Sequence, residues 1–344
     1  MITTLGGCIM KKRRTSQAGK GLTWSEGREL VIRIKTLEGR ATRTIESYTK
    51  LFNDFERCFG VRKYMTNVTQ DDARKFIEWQ LNEKTQFLKA RFRKDKKIGV
   101  SVVSANSYLR NAKSAYEVLI IEGVMEENPF RNVNKIKDNK KIIETLSLTE
   151  LKELLNTYDK TWYVGFRDYV IVNVMLDTFG RINEICHLKK SDIDYEKGLV
   201  TFTVTKNGSY RIVPVTKKVL RLIKELNNET VEFESPYVFI SNHGTQLIPD
   251  AFRKTLRDTV AKTSITKRVH PHIFRHTSAS LFLANGGSVR ALQKILGHAD
   301  ISTTMIYSHM NNDVLKDQHE QFSPLQQIEE HRKIKTRTTR ELYK

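Results

Sequence analysis

Residues 270–307 read HPHIFRHTSASLFLANGGSVRALQKILGHADISTTMIY, and their punctuation sets a helical frame. Pro271 suits a first helical position, where its fixed φ is already correct and its missing N–H costs nothing. Leu281, Phe282 and Leu283 carry that helix on, and Gly286-Gly287 breaks it. Ser288 then caps a second helix, which Gly297 stops as a C-terminal signal. His298 follows directly, and a third helical run from Asp300 or Ser302 carries Tyr307 near its end.

The first of these helices begins with His270, His272, Arg275 and His276 crowded together, and the spacing puts His272 and Arg275 on one face. Three chemistries compete for such a cluster. Zinc would use His272 and His276 at i and i+4, but the pair lacks an HExxH glutamate and a near third ligand. The histidines could be purely structural. An anion site uses all the residue types at once: a guanidinium forks onto two phosphate oxygens, and an imidazole donates or shuttles a proton.

Upstream, residues 167–178 are almost continuously apolar (Val170, Ile171, Val174, Met175, Leu176), which predicts a helix buried on most sides. Arg181 and Glu184 follow, spaced as a helical ion pair. Residues 199–205 and 210–215 are rich in Val, Thr, Phe and Ile, and Asn207-Gly208 between them predicts a β-hairpin with Lys206 beside its turn. Helices resume over 217–226 and 250–263. This domain opens at residue 147, with Thr149 expected to cap a helix through Leu155. It is therefore mainly α with one small antiparallel β-sheet.

The N-terminal half reads as all-helical. Ile45, Tyr48, Leu51, Phe52 and Phe55 follow one helical face from Thr42 on, Thr69 caps a helix to Leu81, and a third helix spans 104–121. Residues 84–98 are strongly basic (Lys89, Arg91, Arg93), and residues 131–146 read as a linker carrying Lys140 and Lys141. The expected organisation is a basic tail at 1–24, a helical domain at 25–130, the linker, a second domain at 147–322 and a tail at 323–344.

Lys and Arg total 59 against 39 Asp and Glu, a formal net charge of +20. Self-repulsion of that size opposes compaction, and a polyanion is the simplest partner to offset it. No apolar run approaches the length of a spanning helix. The apolar start precedes its charges, the reverse of an export signal, and Cys8 stands too early for lipid attachment. Cys8, Cys58 and Cys186 are odd in number and widely spaced, which fits neither a disulfide framework nor a Cys-rich zinc site and points to a reducing cytoplasm.

In chain order the pieces are Arg181, Glu184, the hairpin Lys206, His272-x-x-Arg275, Leu296-Gly297-His298, and Tyr307 nine residues after His298. This ordered set resembles the tyrosine recombinase (phage integrase) family, in its two-domain Xer-like or transposon-integrase form. The likeness spans the whole second domain, and the helical first half resembles that family's core-binding domain. Two boxes depart from the common pattern: Thr178-Phe179-Gly180-Arg181 displaces the glycine of Thr-Gly-Leu-Arg, and Phe274 replaces a leucine.

The resemblance implies a chemistry. Arg181 and Arg275 neutralise the scissile phosphate, His298 adds a hydrogen bond, Tyr307 attacks phosphorus, His272 accepts its proton, and Lys206 protonates the leaving 5′ oxygen. Glu184 holds His272 or Arg181. The product is a 3′-phosphotyrosine, with no cofactor: no metal, because arginines supply the positive charge, and no ATP, because the phosphotyrosine keeps the bond energy. The implied partners are double-stranded DNA bearing specific recombination sites and three further copies of the chain, which together form a tetramer passing through a Holliday junction. Directionality or DNA-bending factors are candidate accessory partners, and the C-terminal tail is expected to dock on a neighbouring protomer. The implied setting is the nucleoid in the cytoplasm, with no membrane partner. On the DNA, Asn106, Ser107, Arg110 and Lys113 of the third helix are candidates for the groove, and Lys89, Arg91, Arg93, Lys140 and Lys141 for the backbone. The alternatives are a type IB topoisomerase-like or telomere-resolving enzyme, or a silent DNA-binding relative.

Overall fold

The computed structural model describes residues 21–86, 97–138, 144–203 and 210–307. Lys206, Lys89, Arg91, Arg93, Lys140, Lys141 and the C-terminal tail lie outside them. The chain divides into two compact units between residues 141 and 142.

The first unit holds α1 (Trp24–Leu37), α2 (Thr42–Phe59), α3 (Gln70–Asn82) and α4 (Val102–Ile121). Helix α1 begins well before the periodicity at Thr42 predicts. Its start is a capping box: Thr23 Oγ1 accepts from the Glu26 N–H, and the Glu26 carboxylate accepts from the Thr23 N–H at 2.9 Å. Phe55 of α2 centres the core, with ring centroids 4.7 Å from Phe76, 5.2 Å from Trp24 and 5.7 Å from Phe130. Buried Lys84 pairs with buried Asp54 and lies 4.0 Å from the centroid of the Tyr108 ring. Just beyond it, Thr85 and Ile98 form an antiparallel bridge.

The second unit begins with α5 (Leu148–Thr157), α6 (Tyr163–Thr178) and α7 (Ile182–Cys186). A sheet of β1 (Ile193–Asp194), β2 (Leu199–Phe202) and β3 (Arg211–Pro214) follows. The unit continues with α8 (Lys217–Glu229), α9 (Pro249–Val260), α10 (Pro271–Ala284), α11 (Val289–Leu296) and α12 (Ser302–Met305). Ser147, not Thr149, caps α5: its Oγ accepts from the Glu150 N–H, and the Glu150 carboxylate returns the bond, which Thr149 has no matching acid to do. As its composition predicts, α6 is buried nearly all round, packed against α8 and α10. Val170, Ile171 and Val174 are fully buried there, each worth roughly 1.5–3 kcal/mol.

The sheet is antiparallel in the order β1-β2-β3, with Val200 opposite Val213 and Phe202 opposite Arg211. Strand β1 has no counterpart in the sequence reading, because two residues are too few to show alternation. The fold is mainly helical with a small antiparallel sheet, as the sequence predicts.

Candidate active site

Helix α6 ends at Phe179, whose backbone is left-handed (φ 56°). The sharp turn this makes releases Arg181 to cap the separate short helix α7, so Arg181 and Glu184 do not extend α6. Glu184 accepts from the Arg181 backbone N–H at 3.0 Å and from Arg181 Nη1 at 2.7 Å. Its Oε2 also accepts from Arg211 Nη2 at 2.7 Å, so the carboxylate joins two arginines and makes no bond to His272. Burial pushes the Glu184 pKa up, but the Arg211 charge and the hydrogen bonds from Arg181 and Arg211 outweigh it and hold the group below its ordinary value.

Arg211 carries no motif, and the sequence reading passes over it. A signal was present: it alternates with Val213 and Val215 along a half-buried strand, so its side chain points inward. From β3 it donates to the Thr178 carbonyl at 3.4 Å and to the Ile295 carbonyl, and its buried Nε has no partner.

Helix α10 supplies Arg275, which is only 3% exposed. Nη1 donates to the Phe179 carbonyl at 2.6 Å, and Nη2 to the Leu296 carbonyl at 2.7 Å and to His298 Nε2 at 3.1 Å. Burial, then the charges of Arg181 and Arg211, push its pKa down to about 9, which leaves it protonated at neutral pH. Gly297, left-handed at φ 65°, ends α11 and turns the chain so that His298 meets that guanidinium. Since Arg275 can only donate, Nε2 of His298 accepts, and Nδ1 carries the proton toward Thr304 Oγ1 at 3.0 Å. Burial, then Arg275, Arg181 and Arg211, lower the His298 pKa to about 4, so the ring is neutral.

Tyr307, two residues beyond α12, is 8% exposed. Burial raises its phenol pKa against the opposing charges of Arg275 and Arg181. Its hydroxyl lies 2.7 Å from Nδ1 of His276. His272 is exposed, its ring centroid 6.4 Å from that of His270, and burial, then the charges of His270 and Arg275, lower its pKa. The fixed charges near the His272 and His276 pair are those of arginines, Arg275 for both and Arg181 and Arg253 for His272, which disfavour a cation there.

The structure thus joins Arg181, Glu184, Arg275, His298 and Tyr307, by hydrogen bond or by charge, and adds Arg211 and His276. Three guanidinium groups face one carboxylate, a surplus of positive charge half-sunk in protein that an anion such as phosphate would balance.

In the first unit, Asn106 is tied in both directions to the Ile136 backbone at 2.9 Å, and Lys113 donates to the Arg131 carbonyl at 3.0 Å. Those bonds hold residues 131–136 on α4. Ser107 is half-buried and Arg110 is exposed.

The model of the Phage integrase family matches residues 144–313. Tyrosine recombinase XerD of Listeria monocytogenes (serotype 4b) is 30% identical over 295 residues, covering 83% of this chain and 94% of its own length. Tyrosine recombinase XerC of Bacillus licheniformis is 30% identical over 285 residues, covering 79% and 88%. Among solved structures, the Tn1549 transposon integrase in complex with transposon right end DNA superposes with a TM-score of 0.66 at 19% identity, covering 86% of this chain and 99% of that one. A lambda integrase tetramer bound to a Holliday junction gives 0.63 at 14% identity, covering 87% and 83%. These two likenesses are of fold.

Proposed function

Given that the chain belongs to the tyrosine recombinase (phage integrase) family, we propose that it is a site-specific DNA recombinase that cuts and rejoins strands through a phosphotyrosine on Tyr307. One observation carries the reading: Arg181 and Arg211 both donate to the carboxylate of Glu184, Arg275 lies within reach of its charge, and the charges of Arg181 and Arg275 reach the Tyr307 phenol. The transition state of phosphoryl transfer spreads extra negative charge over the phosphate oxygens, and donors already fixed for that charge lower the barrier.

Arg181 and Arg275 bind the non-bridging oxygens. Arg211 and Glu184 act behind them: the carboxylate orients Arg181, and Arg211 keeps that carboxylate ionised. His298, held by Thr304, turns its Nε2 from Arg275 to the phosphate once the anion raises its proton affinity. Tyr307 Oη forms the bond to phosphorus as the bond to O5′ breaks, and Lys206 supplies the proton that O5′ takes. The energy of the broken ester stays in the phosphotyrosine. Assembly as a tetramer bound to a Holliday junction is carried over from the lambda integrase complex. The relatives are Xer recombinases and the transposon integrase is a likeness of fold, so the biological setting is proposed no more closely than recombination or integration of DNA.

The test is a nicked suicide duplex with a randomised core, from which adduct-forming sequences are recovered. The wild-type chain should yield an SDS-stable protein–DNA adduct, and two copies of the recovered sequence on one plasmid should recombine. Relaxation of any supercoiled plasmid, with no site needed, would instead favour a type IB topoisomerase.

A further inference from the structure

We propose that His276 is a catalytic residue of this site, with its Nδ1 taking the Tyr307 phenol proton as the phenol oxygen attacks phosphorus. The inference rests on Tyr307 being the nucleophile. A proton acceptor must lie within hydrogen-bond reach of the proton it removes, about 2.6–3.2 Å between heavy atoms. His276 Nδ1 stands 2.7 Å from Tyr307 Oη, with ring centroids 5.6 Å apart. His272, one turn earlier on α10, is exposed and makes its ring contact with His270 instead.

The direction of the bond follows from the groups. The phenol is protonated, since burial raises its pKa, so Oη donates and Nδ1 accepts. His276 is therefore the neutral Nε2–H tautomer. Burial, then the positive charge of His272, His270 and Arg275, holds its pKa at about 4. Those three groups come from α10 and its cap, and Tyr307 is the group facing it from beyond α12. A phosphodiester seated on Arg275 brings a negative charge into the same space, offsets those charges, and raises the basicity of His276 when the substrate is bound. Its neighbours on α10, Arg275 and Thr277, are 3% and 0% exposed, so the backbone that carries His276 is packed into the unit.

The step balances. The Oη–P bond forms and the P–O5′ bond breaks. The phenol proton passes to His276 Nδ1, and O5′ takes a proton from the acid, Lys206. In rejoining, the 5′-hydroxyl gives its proton back to neutral Lys206 as O5′ attacks phosphorus, the Oη–P bond breaks, and the imidazolium returns its proton to Oη.

The experiment measures single-turnover adduct formation on a recovered suicide duplex, from pH 6 to about 10. His276→Asn is the informative variant: its amide oxygen replaces Nδ1 as an acceptor, keeps the hydrogen bond and cannot take the proton. Its adduct formation should be about 100-fold slower at neutral pH with DNA affinity unchanged, and should climb about tenfold per pH unit where the wild type levels off. A 5′-bridging phosphorothiolate, whose sulfur leaves without a proton, should restore Lys206→Ala and leave His276→Asn slow. Nitrogen NMR of the unmodified chain provides a check that needs no variant, and should find Nδ1 of His276 unprotonated. Wild-type rates and pH profile in His276→Asn, loss of the plateau in His272→Asn instead, or a proton on Nδ1 would each overturn the assignment. A wild-type chain that forms no adduct would remove the nucleophile reading itself, and this inference with it.

Discussion

Arg211 Nη2 donates to Glu184 Oε2 at 2.7 Å, with both side chains almost wholly out of solvent. Neither group contacts solvent enough to stand alone. Removing Arg211 leaves the buried carboxylate with Arg181 as its remaining charged partner, so the cost is the lost charged hydrogen bond, about 1.5–3 kcal/mol, and not that of a charge left wholly unpaired. Arg211→Met should therefore lower the unfolding free energy by about that much in urea titration. A loss within the range of an ordinary surface substitution would mean that the pair does not organise the site.

Stability should fall on acidification, from three groups whose pKa values are depressed in the folded chain. His276 and His298 are held at about 4, against an ordinary 6.5, and Glu184 is held below 4.5. A depressed pKa means the unfolded chain binds the proton more readily, so the contribution is complete above the unfolded value and lost as pH drops toward the folded one. The histidine part is lost between pH 6.5 and about 4, and the Glu184 part below 4.5. Thermal melts across that range should show the decline, and His298→Gln should flatten its upper part. Equal slopes in both proteins would refute the assignment to His298.

Gly297→Ala tests how the turn places His298. The left-handed backbone disfavours any side chain by about 1–2 kcal/mol. The added Cβ would also meet Arg211 Cδ at 3.1 Å. The variant should melt earlier and form adduct more slowly than its lost stability alone accounts for. Normal cleavage by the folded variant would show that His298 does not depend on this turn.

DNA affinity should fall steeply with salt, since the net charge is +20 and phosphate contacts release counterions. Arg110, exposed on α4, is the proposed contact there. Arg110→Ala should relax discrimination between DNA sequences, at about 1–3 kcal/mol on the preferred one, as for a base contact in the groove. A uniform loss across sequences, with the slope of log affinity against log salt reduced by about 1, would make it a phosphate contact instead.

Legibility in the sequence followed the physics of each signal. Helices with strong stops were plain: Pro271, Gly286-Gly287, Ser288 and Gly297 each act locally, and α10 and α11 begin and end where they indicate. Helix α1 goes unread in the sequence, although the Thr23 and Glu26 box marks its start. The turn before Arg181 was legible as a displaced glycine. What it does was not: Phe179 takes the left-handed position itself, held by its packing on Phe282 and by Arg275 on its carbonyl. Arg211 and His276 belong to the site through contacts 27 and 31 residues away along the chain, a distance at which no local pattern speaks. The histidine with the clearest motif, His272, is the more exposed of the two on α10.

Tyr307 is the residue proposed to carry the DNA. The direct measurement is to trap the wild-type adduct on a recovered suicide duplex, digest it with protease and nuclease, and locate the residual nucleotide by mass spectrometry. The nucleotide should sit on Tyr307 through its 3′ phosphate, and Tyr307→Phe should give no adduct. A nucleotide on another residue, or an adduct that survives Tyr307→Phe, would contradict the account.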